Sequence, residues 1–241
     1  MKERATVLGV GIDAVTMDEA LARVSGFIEA GAPRLVATAN AEMVMLSQTD
    51  AQLRAILAAA DLVVPDGAGV VWAARYHGQP VPERVAGYDL TQRLLAHAAV
   101  AGYRVYFFGA APGVAEAAAA AGRQQYPGLV IAGIRNGFFQ DSDTAAVIDD
   151  IRQARPHILL AALGVPKQEK WLYRHLTALD VPVCIGVGGS FDVMAGVVTR
   201  APRWMQRSGL EWLYRLLCQP QRLGRMLVLP KFVWRVVLKN H

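Results

Sequence analysis

Cysteine is scarce in this chain, with Cys184 and Cys218 alone among 241 residues. Two thiols in apolar surroundings make neither a disulfide framework for a chain this long nor a metal site, which needs ligands at close spacing. Both read as reduced, buried side chains. No apolar run reaches the roughly 18 residues that a membrane-crossing helix requires. The N-terminal apolar stretch is cut by Asp13 before it can form a signal-peptide core. The expectation is a cytoplasmic protein whose membrane contact is peripheral, on the inner face of the cytoplasmic membrane. The five histidines, His77, His97, His157, His175 and His241, are scattered. No Asp-x-Asp pair stands where a divalent ion on a nucleotide diphosphate would need it, since Asp141-Ser142-Asp143 reads as a helix N-terminus. Neither a metal nor a cofactor is expected.

Acid is also missing from one end. Residues 1–194 carry 16 Lys and Arg against 19 Asp and Glu, whereas residues 195–241 carry nine basic residues against the single acid Glu211. The formal charge of +5 is therefore a property of the C-terminal segment. A basic tail seeks phosphates, whether of lipid, nucleic acid or a diphosphate ligand.

What the chain does hold is apolar: 54% of residues are hydrophobic and 19% charged, which suits a packed interior. Short runs at 34–37, 62–64, 105–108, 129–132, 158–161 and 183–187 are apolar throughout and read as strands buried on both faces. Between them, 17–30, 88–100, 112–124 and 144–154 repeat with helical period. This alternation predicts an α/β fold: a Rossmann-like, largely parallel sheet with helices on both faces. From about Thr199 the pattern becomes helical only, broken by Pro202, Gly209, Pro220, Gly224 and Pro230. We therefore expect a catalytic domain over 1–195 and a basic, amphipathic helical appendage over 196–241. Leu223, Met226, Leu227, Pro230, Val233, Trp234 and Val237 form an apolar stripe at spacings of three and four, with the cations outside it. Such a helix packs on a core or lies in a membrane interface. Away from a membrane the stripe needs cover, which allows self-association.

Ligands of an open parallel sheet bind beyond the carboxyl ends of its strands, and the polar residues collect there. Thr38-Ala39-Asn40-Ala41-Glu42 follows one strand, where Thr38 or Asn40 suits a helix cap. Pro65-Asp66-Gly67 follows the next; Asp66 is a cap or a crevice carboxylate able to take a proton. Two glycine loops, Phe108-Gly109-Ala110-Ala111-Pro112-Gly113 and Gly186-Val187-Gly188-Gly189-Ser190-Phe191-Asp192, offer backbone N–H groups to a phosphate or serve simply as turns. Neither is a dinucleotide fingerprint or a P-loop. Lys167 and Gln168 open a further helix within reach of the same crevice.

Seven blocks, in this order, resemble the WecG/TagA/CpsF family of bacterial glycosyltransferases. They are Thr38-Ala39-Asn40-Ala41-Glu42, Pro65-Asp66-Gly67, Glu83-Arg84-Val85-Ala86-Gly87, the Phe108-Gly109 loop, Asn136-Gly137-Phe138-Phe139, Gly164-Val165-Pro166-Lys167-Gln168-Glu169, and Gly188-Gly189-Ser190-Phe191-Asp192 with Arg200-Ala201-Pro202. The resemblance implies an inverting, metal-independent transferase. Its donor would be a UDP-sugar, of N-acetylmannosamine type or a related hexose or uronic acid. The acceptor would be a sugar on polyprenyl diphosphate, in cell-surface polysaccharide synthesis. It casts Asp66 as general base, and Thr38, Asn40, Arg84, Lys167 and Gln168 as substrate-binding residues. Gly109, Gly188, Gly189, Phe191 and Asp192 would hold the nucleotide. Arg215, Arg222 and Arg225 would come over the site from a tail docked on an anionic membrane. A nicotinamide-dependent sugar-nucleotide oxidoreductase would share the sheet but lacks its glycine fingerprint here. A nucleic-acid binder would explain the tail but not the polar strand ends, so no nucleic-acid partner is expected.

Overall fold

The computed structural model describes residues 4–79, 81–218, 224 and 227–238; the side chains of Arg207 and Arg215, and all of Arg222, Arg225 and Lys239, lie outside the described residues. Six parallel strands form one sheet: β3 (Arg34–Ala39), β4 (Leu62–Pro65), β5 (Arg104–Gly109), β6 (Val130–Arg135), β7 (Ile158–Ala162) and β8 (Val183–Gly186). Their spatial order is β4-β3-β8-β7-β5-β6. The chain builds outward to one edge with β3 and β4 and to the other with β5 and β6. It then fills the gap with β7 and β8. The crevice where the connections diverge therefore lies over the C-terminal ends of β3 and β8.

All six expected strands are present, but only five are buried as their apolar runs predict: β6 stands at the sheet edge and is half-buried, with Val130 exposed. For the others the physical reason is visible in the packing. Along each central strand, successive side chains enter opposite cores. Leu35, Ala37 and Ala39 point to one, with Leu159, Ala161 and Cys184. Val36, Leu62 and Val64 point to the other, with Leu160, Val183 and Ile185. The second core is closed by α1 (Met17–Ala30), α5 (Gly87–Ala101) and α6 (Val114–Gln125). The first is closed by α2 (Ala41–Leu46), α3 (Ala51–Ala59), α4 (Ala68–Tyr76), α7 (Thr144–Ala154) and α8 (Lys167–Leu179). Helix α1 starts at a capping box in which Thr16 and Glu19 satisfy each other's backbone N–H groups. It stops at Gly31, whose φ of 71° supplies the left-handed C-cap.

Two features depart from the sequence reading. Residues before Asp13 form an antiparallel hairpin, β1 (Arg4–Val7) and β2 (Val10–Asp13), turned at Leu8 and Gly9 with positive φ at both. Asp13 anchors it: the buried carboxylate accepts from Val63 N–H at 2.7 Å and pairs with Arg4 at 3.2 Å and Arg23 at 3.1 Å. Cys218 is exposed, not buried, because it ends a helix on the surface; Cys184 is buried as expected.

After β8 come α9 (Ser190–Met194), α10 (Arg203–Arg207), α11 (Glu211–Cys218) and α12 (Val228–Leu238). Helix α12 lies against α2 and α4. It buries Phe232 and Val236 in the main core, with Leu229 packed beside them. A side chain such as Phe232, once buried, contributes about 1.5–3 kcal/mol. The expected stripe is not the face that packs: Leu227, Pro230, Val233, Trp234 and Val237 are exposed, alongside exposed Trp204, Trp212 and Leu217, while Leu223 and Met226 lie outside the described residues. Among the described residues no helix is long and apolar enough to cross a membrane.

Candidate active site

The strand ends gather the polar residues. Parallel pairing sets Thr38 beside Val64 and Ala39 beside Pro65, so Asp66 emerges next to Thr38 and Asn40. The Asp66 N–H donates to Ala39 O at 2.9 Å, which fixes the turn. Gly67 then takes φ of 99° and starts α4. Close approach is built in by a glycine: a Cβ on Gly87 would lie 3.2 Å from Thr38 Cβ and 3.4 Å from Asp66 Oδ2. The first turn of α5 thus seats directly on both side chains.

Thr38 Oγ1 donates to Gly186 O at 3.3 Å and ties β3 to β8. Asn40 caps α2, its Oδ1 accepting from Met43 N–H at 3.0 Å. That leaves its NH2 group as the donor it can offer a ligand. Gln168 is 1% exposed. Its Oε1 accepts from Gly164 N–H at 3.2 Å and Gly188 N–H at 3.1 Å, and its Nε2 donates to Glu169 Oε1 at 2.8 Å. It therefore clamps the turns after β7 and β8 together. Gly186 makes room for it, since a Cβ there would meet Gln168 Nε2 at 2.5 Å.

These residues surround one cavity of about 790 Å³. Its floor carries Thr38, Asn40, Glu42, Asp66, Arg84, Gln168, Gly188, Gly189 and Arg200. The apolar part of its wall is made by Trp72 of α4, Trp212 and Leu216 of α11, and Leu229, Phe232 and Val233 of α12, with Glu211 of α11 beside them. Such a mixed lining suits a ligand that has both polar and greasy parts.

Seven residues singled out in the sequence thus meet here: Thr38, Asn40, Asp66, Arg84, Gln168, Gly188 and Gly189. Four others stand outside the lining. Lys167 is exposed, with its ammonium over the Phe139 ring at 5.4 Å. Phe191 is fully buried and stacks on Phe107 at 5.1 Å, so it is a core residue. Asp192 lies one residue further into α9, and its backbone carbonyl holds the following turn, accepting from Val198 N–H. Gly109 has φ of 117°, and a Cβ there would lie 2.5 Å from the Ala162 carbonyl, so contact between β5 and β7 requires it. Arg215 belongs to α11 between the lining residues Trp212 and Leu216, but its side chain, like Arg222 and Arg225, lies outside the described residues.

The loop after β8 is less of a phosphate cradle than its glycines suggest. Val187 N–H donates to Ala161 O, Gly188 N–H to Gln168, and Ser190 N–H to Val187 O. Gly189 N–H alone of this run has no acceptor among the described residues.

Sequence reading missed Arg200 and Tyr88 and two further carboxylates of the lining, Glu42 and Glu211. Arg200 donates to Asp89 through both terminal nitrogens, at 2.5 and 2.8 Å, and lies over the Tyr88 ring at 4.7 Å. Burial disfavours its charge, but Asp89 and Glu211 outweigh that and hold its pKa above the ordinary arginine value. Its signal in the sequence is the Arg200-Ala201-Pro202 block. Among the described residues, no three His, Cys, Asp or Glu side chains gather in a group that could hold a metal.

Comparison with known proteins places the chain in a family. The profile of the glycosyl transferase WecG/TagA/CpsF family matches residues 5–241. An N-acetylglucosaminyldiphosphoundecaprenol N-acetyl-beta-D-mannosaminyltransferase of Bacillus spizizenii is 39% identical over 202 residues, covering 84% of this chain and 78% of its own. The protein of that name in Bacillus subtilis is 36% identical over 203 residues, with coverage of 84% and 78%. The one in Staphylococcus aureus is 32% identical over 235 residues, with coverage of 97% and 92%. With a family match across nearly its whole length and relatives 32–39% identical, the chain belongs to the WecG/TagA/CpsF family and is a glycosyltransferase.

Proposed function

We propose that this enzyme is an inverting, metal-independent transferase. It moves a sugar of N-acetylmannosamine type, or a related hexose or uronic acid, from UDP to a sugar on polyprenyl diphosphate. It works at the cytoplasmic face of the membrane in cell-surface polysaccharide assembly. The observation that carries this reading is the mixed lining of the cavity: Asp66, Thr38, Asn40 and Arg84 together with apolar side chains of α11 and α12. Sugars and phosphates suit the polar residues, and a prenyl chain the apolar ones. The relatives named above act, by their names, on a sugar-diphosphate-polyprenol and transfer N-acetylmannosamine.

The chemistry is a single displacement. Asp66 takes the proton of the acceptor hydroxyl as its oxygen attacks the anomeric carbon. The bond from that carbon to the diphosphate breaks on the opposite face, and UDP leaves with the electron pair. Thr38 and Asn40 orient the sugars. Arginines meet the charge on the leaving group, Arg84 from the floor and Arg215, Arg222 and Arg225 from the C-terminal segment; fixed cations in a dry site need no metal for this work. The exposed apolar residues of α12, flanked by exposed Lys231 and Arg235, rest on anionic lipid.

A transfer screen tests this reading. Purified enzyme is offered a panel of UDP-sugars with a short-chain polyprenyl-diphosphate acceptor bearing N-acetylglucosamine, and the new linkage is read by NMR. Transfer with inversion supports the proposal. Absence of transfer from every donor, with binding of NAD in place of UDP, overturns it.

A further inference from the structure

From residue 195 onward Glu211 is the sole acid among nine basic residues. Its side chain is 14% exposed and stands at the start of α11, where the helix meets the cavity. Each carboxylate oxygen faces a different arginine. Oε2 lies 3.5 Å from Arg84 Nη1, and Oε1 lies 3.5 Å from Arg200 Nε. Both separations are long, because charge-assisted N–H···O contacts close to about 2.7–2.9 Å when geometry allows. The Arg200 Nε–H is buried and has no acceptor in hydrogen-bond geometry. Its two other nitrogens are taken by Asp89, and Tyr88 covers its face, so the guanidinium cannot turn to find one. Arg84 and Arg200 thus present donors that converge on one carboxylate, each at 3.5 Å.

We propose that Arg84 and Arg200 bind a phosphate group of the substrate and that Glu211 is the built-in placeholder of that subsite, displaced when the phosphate arrives. A phosphate carries more charge than a carboxylate and spreads its oxygens in three directions, which lets it close both contacts at once. Until it comes, Glu211 gives Arg84 an acidic partner and adds a second carboxylate, beside Asp89, at Arg200. Displacement also has a mechanical result. Glu211 is the first residue of α11, and its neighbours Trp212 and Leu216 line the apolar wall. Freeing it releases the N-terminal end of that helix, so binding at the floor loosens the wall. The subsite rests on the transferase reading only for which phosphate it holds.

The test uses the full-length enzyme and inorganic pyrophosphate, followed by UDP. Calorimetric titration should give E211Q an affinity for pyrophosphate about tenfold above wild type, because a competing charge is gone. R200K should bind about tenfold more weakly, because lysine keeps the charge but loses the fixed Nε–H. Circular dichroism verifies that each variant is folded. Folded E211Q with wild-type or weaker affinity overturns the placeholder. Should E211Q fail to fold, tryptophan fluorescence of the wild type decides: a saturable change on adding pyrophosphate, absent in Trp212→Phe, supports displacement, and no such change overturns it. Failure of the sugar-transfer screen with this competition intact would instead strike the donor and acceptor assignment.

Discussion

The buried carboxyl of Glu169 accepts a hydrogen bond from Gln168 at 2.8 Å through Oε1, while Oε2 has no partner. Burial raises the Glu169 pKa from 4.5 to about 7, against the lowering effect of the Gln168 bond. An orphaned oxygen in a dry site is tolerable when the group carries a proton. The folded protein therefore keeps a proton that the unfolded chain loses near pH 4.5. The stabilising contribution is complete below that pH and is lost as pH rises through about 7, on the order of 3 kcal/mol in all. Glu169→Gln cannot titrate. Thermal melts of the two proteins from pH 5 to 8 should show the variant gaining on wild type as pH rises; a constant difference would refute the assignment.

Three carboxylates line the cavity, Glu42, Asp66 and Glu211; Glu211 faces Arg84 and Arg200, and of the other two only one is expected to act as base. Asp66→Asn should lower kcat by about 10²–10⁴-fold with UDP-sugar affinity within a few-fold of wild type. Glu42→Gln should leave most of kcat. Steady-state kinetics on both variants separates the roles, and the reverse pattern would move the base to Glu42.

Membrane binding is expected to depend on the outer face of α12. Trp234→Ser with Val237→Ser removes two exposed side chains and spares Phe232 and Val236 beneath. Sedimentation with anionic vesicles should show a clear loss of bound protein at an unchanged melting temperature. Wild-type levels of binding would sever α12 from the membrane. Deleting the helix is the poorer test, since Phe232 and Val236 belong to the core.

Gly109 separates structure from nucleotide binding. A Cβ there meets the Ala162 carbonyl at 2.5 Å with φ at 117°. Gly109→Ala should cost about 2–4 kcal/mol through strain and overpacking. The melting temperature should fall by roughly 5–10 °C, while the folded fraction binds UDP like wild type. A selective loss of UDP affinity, with an unchanged melt, would return Gly109 to the nucleotide site.

The parallel sheet was legible because strands such as Leu62–Pro65, apolar at each position, have few other places to go. The hairpin before Asp13 was not, because two four-residue strands carry little periodicity and the burial of Asp13 depends on Arg4, Arg23 and Val63 together. In α12 the run Val-Leu-Pro-Lys-Phe-Val-Trp-Arg-Val-Val-Leu is apolar on nearly every side, so spacing alone could not choose the face that α2 and α4 would cover. At the site, strand-end position pointed to Asp66 and Thr38. Glu211 and Arg200 meet only through folding of the C-terminal segment, which no local pattern encodes.

The neighbours β3 and β8 are joined at Thr38 and Gly186, 148 residues apart in the chain. During synthesis the N-terminal half of the sheet must wait for its inner partner. At about 5–20 residues per second that delay is on the order of 10–30 s. For that time β3 offers the ribosome's surroundings a naked, hydrophobic strand edge, an invitation to mispairing. Nascent chains of this enzyme should therefore be chaperone clients until β8 emerges, and the catalytic floor is among the last parts of the molecule to exist.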